Sequence, residues 1–66
     1  MDYSQEDLTE AKRQIDSILH KLRETIKTLE AKGERGRYRS QITLAKRRAA
    51  ALELANHLIQ RELTDS

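Results

Sequence analysis

The stretch Lys32-Gly33-Glu34-Arg35-Gly36-Arg37 separates two apolar ladders, and its reading decides the fold. Two glycines in four residues would cost a continuous helix about 2 kcal/mol relative to alanine. Gly33 stands where a helix end favours the left-handed conformation. Upstream, Leu8, Ile15, Leu22 and Leu29 recur every seven residues, and Ala11, Ile18, Leu19 and Ile26 fill the same stripe. Downstream, Tyr38, Ile42, Ala45, Ala49, Leu52, Asn56, Ile59 and Leu63 alternate steps of four and three. Both ladders have helical period, so the chain is expected to be all-α, an antiparallel two-helix hairpin. The first helix is placed at about 5–32, the turn at 33–36 and the second helix at about 37–63, a single domain over residues 1–66.

The first helix carries clear start signals. Ser4 is a good N-cap, with Asp7 in the place of the acidic capping-box partner and Tyr3 and Leu8 at the staple positions. Glu6, Asp7 and Glu10 complement the positive end of the helix dipole, and Lys27 and Lys32 its negative end. The second helix starts less cleanly. Gly36 or Ser40 is the expected cap, and Arg35, Arg37 and Arg39 crowd an end where the dipole disfavours cations.

The ladders match when paired residue numbers sum to about 71, setting Leu29 against Ile42, Leu22 against Ala49, Leu19 against Leu52 and Leu8 against Leu63. Large residues then oppose small ones near the turn, which lets the helices interdigitate. Ile15 falls opposite Asn56, the one polar member. It is either a partly solvated amide or a buried polar residue that sets the register.

Composition argues against a lone hairpin. Charged residues are 36% of the chain, and Pro, Cys, Trp and Phe are absent, so no disulfide or thiolate metal site can staple it. Fourteen Leu and Ile residues are available for burial, more than one helix pair can cover. A second ladder, Leu44, Arg48, Ala51, Ala55, Leu58 and Glu62, runs beside the first on the second helix. A helix apolar on two adjacent flanks normally has two neighbours. This ladder is nearly palindromic about Ala55: antiparallel self-pairing sets Arg48 against Glu62 and Ala51 against Leu58 or Ile59 of the other copy. A homodimer in the form of a four-helix bundle is the expected assembly; the alternative is a solvated face.

Charge is uneven. Residues 1–31 hold five basic and seven acidic side chains (net −2), and residues 32–48 hold seven basic and one acidic (net +6). Residues 49–66 hold one basic and three acidic (net −2). Arg35, Arg37, Arg39, Lys46 and Arg47 are the candidate polyanion contacts, because guanidinium groups suit bidentate phosphate recognition. Tyr38 among them is suited to stacking on a base. A solvated turn, or one that meets an acidic protein, fits the same residues.

No nucleophile–base pair, Gly-rich phosphate loop or paired carboxylate site is apparent, so no enzyme activity, cofactor or small-molecule substrate is expected. His20 and His57 fall about 9–10 Å apart in the hairpin register, too far to share a metal. No apolar run approaches membrane-spanning length and no targeting segment is recognised, so a cytoplasmic location with no membrane partner is expected. The leading functional expectation is a small structural or regulatory interaction module that acts by binding another macromolecule through its bundle surface or its tips, a protein partner among the candidates. The alternative is an RNA- or DNA-binding module using the basic turn and the start of the second helix.

The outline resembles two families of helical hairpin. Lys46-Arg47-Arg48-Ala49-Ala50-Ala51 is similar to the arginine pair in the second helix of a large-subunit ribosomal protein, although the acidic first helix departs from that family. The plasmid copy-control hairpin that dimerises and binds paired RNA loops is similar in architecture, with no shared motif. Neither resemblance transfers a functional residue.

Overall fold

A computed structural model describes residues 3–32, 36 and 38–65. It is an all-α helical hairpin of two equal helices, α1 (Gln5–Ala31) and α2 (Arg39–Asp65), each 27 residues long. They lie side by side in a body of 47 × 15 × 15 Å.

The α1 start follows from its cap. Ser4 is extended, and its Oγ accepts a hydrogen bond from the Asp7 N–H at 3.1 Å while its carbonyl accepts from Leu8 N–H at 3.0 Å. Glu6 and Asp7 occupy the first turn. Of the turn, Gly33, Glu34, Arg35 and Arg37 lie outside the described residues. Gly36 has φ +83°, a left-handed conformation that only glycine adopts cheaply.

The start of α2 differs from expectation. Tyr38 precedes the helix, and its carbonyl accepts from Ile42 N–H at 2.9 Å. Tyr38 therefore fills the N-cap position; Ser40 lies inside the first turn and Gly36 lies before the cap. The Lys32 ammonium sits 5.3 Å from the Tyr38 ring centroid, a cation–π contact at this entry point. At its far end α2 continues past Leu63 to Asp65, where Gln60 Nε2 donates to Thr64 Oγ1 at 3.2 Å.

The helices face each other along the expected stripes. Leu19, Ala45 and Ala49 are buried, and Leu8, Ile15, Leu22, Ile26 and Leu29 are half-buried opposite Ile42, Leu52, Asn56, Ile59 and Leu63. Alanine at 45 and 49 allows the close approach that buries it. Ile18 departs from its ladder: it is 46% exposed, because it projects about 100° around the helix from Leu19.

Candidate interaction surface

Two unlike flanks border the apolar stripe. On one, polar side chains bridge the helices. Lys46 Nζ meets Glu30 Oε2 at 3.2 Å, Arg23 donates to Glu53 Oε1 at 2.7 Å, and Asn56 Nδ2 donates to Asp16 Oδ1 at 2.6 Å. Positions 16, 23 and 30 are spaced by seven, as are 46 and 53, so each set tracks one line beside the stripe. Lys12 adds a bond to Asp16 at 3.1 Å. A shallow cleft of about 310 Å³ follows this flank, lined by Lys12, Asp16, Arg23, Glu53, Asn56 and His57, with Leu19 and Gln60 completing its wall.

The Asp16–Asn56 pair explains the polar interruption of the second ladder. Asn56 is half-buried; its amide nitrogen reaches Asp16, while its Oδ1 is buried with no hydrogen-bond partner among the described residues. The Asn56 bond, followed by the Lys12 bond, holds the Asp16 carboxyl below its ordinary value. Asn56 is thus nearer the partly solvated amide of the two expectations, with one end in the helix interface and the other on an exposed carboxylate.

The other flank is apolar. Because the helices run antiparallel, the side of α1 away from Asp16 and Arg23 adjoins the side of α2 away from Glu53. Ile18 lies there on α1, and Leu44, Ala51, Ala55 and Leu58 lie there on α2. Leu44 is 46% exposed and Leu58 50%; Ala51 and Arg48 are exposed, while Ala55 and Glu62 are half-buried. Leu58 and Glu62 also border an open cleft of about 310 Å³ with Arg61 and Asp65. Nearer the start of α1, a cleft of about 500 Å³ between Tyr3, Asp7, Leu8, Ala11 and Ile59 extends the same side.

Sequence reasoning missed several members of these surfaces. Leu54, 61% exposed, projects from the outer side of α2. Its spacing of three from Ala51 and four from Leu58 was the available signal. The bridging pairs were also missed; their signal, oppositely charged residues at heptad spacing beside the ladders, can be read only with the register in hand.

The candidate polyanion residues divide. Arg35 and Arg37 lie outside the described residues. Lys46 is engaged by Glu30. Arg39 and Arg47 are exposed and have no ion-pair partner among the described residues. The half-buried Tyr38 ring has the Lys32 ammonium over it, not an open face on both sides. Among the described residues, no three His, Asp or Glu side chains converge on a possible metal position, and no helix is long and apolar enough to cross a membrane.

No protein-family model, curated protein or solved structure matches this chain.

Proposed function

We propose that the hairpin is a small, non-enzymatic interaction module that acts by packing its apolar flank against another macromolecule. One observation carries the reading: of fourteen Leu and Ile residues, Leu19 alone is buried, while Ile18, Leu44 and Leu58 stand about half exposed along one flank. Large aliphatic side chains left in water forgo about 1.5–3 kcal/mol each on full exposure, which burial against a partner would recover. The opposite flank is closed by polar bridges, so the two sides differ in kind.

The test replaces Leu44 and Leu58 together by Ser and follows both molar mass and affinity capture from the native cell. The expected result is loss of association with helicity retained by circular dichroism. Unchanged mass together with an unchanged set of captured proteins would refute the reading.

A second reading, binding of RNA or DNA, is favoured by the exposed Arg39 and Arg47 beside the basic turn. Binding through about four or five phosphates predicts a log–log salt slope near −3 to −5. Indifference of low-salt binding to joint replacement of Arg39 and Arg47 by Ala would remove it.

A further inference from the structure

We infer that the partner on the apolar flank is a second copy of this chain, inverted so that the basic first part of each α2 lies toward the other copy's acidic open end. The inference rests on the interaction-module reading and adds the identity and orientation of the partner.

The area is sufficient. A flank of 47 × 15 Å presents roughly 700 Å². With the axis at Ala55, about 40 Å of its length overlaps the other copy, so the two flanks bury roughly 1,200 Å², at the lower end of the usual range for a stable protein interface.

Charge selects the orientation. The first ten residues of α2 carry Arg39, Lys46, Arg47 and Arg48 with no acidic side chain. The open end carries Glu6 and Asp7 in the first turn of α1, and Glu62 and Asp65 near the end of α2. Two hairpins packed flank to flank have two two-fold arrangements. With the axis along the helices, both turns share one end, and cations meet cations. With the axis across the helices, α1 lies over α1 and α2 over α2, and each basic end meets an acidic one. The second arrangement matches opposite charges at both ends.

Geometry agrees. An axis across α2 at Ala55 sets Arg48 seven residues to one side and Glu62 seven to the other, so each faces its opposite charge on the partner. The half-buried Ala55 leaves room for close approach there. The Asp16–Asn56 pair puts Ile18 at nearly the height of Ala55, so the same axis passes α1 near the exposed Ile18 and α2 at the recessed Ala55.

The chain has no cysteine, so single thiols report orientation cleanly. Ala55→Cys places two thiols at the axis, whereas Leu44→Cys places them about 33 Å apart in the inverted arrangement. The experiment measures molar mass by light scattering and disulfide formation under mild oxidant, with helicity followed for every variant. The expected result is twice the 7.7 kDa chain mass, cross-linking of Ala55→Cys and none of Leu44→Cys. Arg48→Glu should lower the dimer fraction about tenfold, and Glu62→Arg on the same chain should restore it. Cross-linking of Leu44→Cys, whose thiols the inverted arrangement holds apart, would overturn the orientation. A dimer in which neither variant cross-links would place the axis elsewhere and overturn the inference. A helical monomer would also overturn it. If that monomer still captured another protein through Leu44 and Leu58, the interaction-module reading would survive.

Discussion

Replacing Asn56 by Leu should make the hairpin more stable, although it removes the shortest hydrogen bond between the helices. The side chain stands in the facing stripe of α2, half-buried, with Oδ1 shut away from solvent and unpartnered. An unsatisfied buried acceptor costs about 1–3 kcal/mol. A half-buried leucine at the same place adds about 1 kcal/mol of apolar burial. Against these stands the bond from Nδ2 to Asp16 Oδ1, at 2.6 Å. That carboxylate is exposed, keeps its bond to Lys12 and can take water in place of the amide. A hydrogen bond to a charged group contributes about 1.5–3 kcal/mol, at the low end where the carboxylate is exposed. The balance therefore favours the variant by on the order of 1 kcal/mol, which for a domain this small raises Tm by roughly 4–8 °C. Urea unfolding followed by circular dichroism, at one fixed protein concentration because association shifts apparent stability, gives the comparison. A lower midpoint for Asn56→Leu at unchanged slope would refute the reasoning. It would mean that the Asp16 bond, or a water on Oδ1, outweighs the buried acceptor.

The same pair sets a pH dependence. Because the Asp16 carboxyl is held below its ordinary value of 3.8, its contribution is present above that value and is lost as pH falls through the lower native one. Acid unfolding curves should show this loss for the native chain, and Asn56→Leu should flatten it; identical acid limbs would count against the bond. Ser4→Ala removes the acceptor for the Asp7 N–H and should cost about 1 kcal/mol, seen as a lower urea midpoint. Gly36→Ala meets no atom within 4 Å of the added carbon, so only the backbone at φ +83° resists it. The expected cost is about 1–2 kcal/mol, and a neutral midpoint would show that the turn adjusts without penalty.

The features legible in the sequence were those enforced by burial. Leu19, Ala45 and Ala49 sit inside because the facing stripes leave no other place for them, and a period of 3.6 residues exposes that requirement directly. The Ser4 cap was equally legible, since few residue types satisfy an orphan N–H there. The start of α2 was not: Gly36 and Ser40 have capping chemistry, but the first closing bond goes to the Tyr38 carbonyl, which any residue type provides. Ile18 belongs to the seven-residue pattern by hydrophobicity and to the flank by angle, a distinction that needs the second helix in place. The Glu30–Lys46 and Arg23–Glu53 bridges join residues far apart in sequence and become evident only once the register is known.

The unequal flanks bear on how far assembly can proceed. A hairpin apolar on both sides would accept a neighbour on each, and flank-to-flank packing would continue into open stacks. Here one side is occupied by Glu30–Lys46, Arg23–Glu53 and Asp16–Asn56, groups that would have to give up water to receive another apolar surface. The other side carries Ile18, Leu44 and Leu58. Association through the apolar flank would hide it in both copies and leave only polar bridges outside. A two-fold pairing of that kind closes on itself. The surplus of aliphatic residues on α2 would then have a bounded use, because one other copy would cover that flank. Leu54 is the exception, since it projects from the outer side of α2 and would stay in water in the closed pair. Replacing Leu54 by Lys should therefore leave the assembled mass unchanged while Leu58→Lys lowers it. Equal sensitivity at the two positions would mean that the interface wraps the outer side of α2, not its flank.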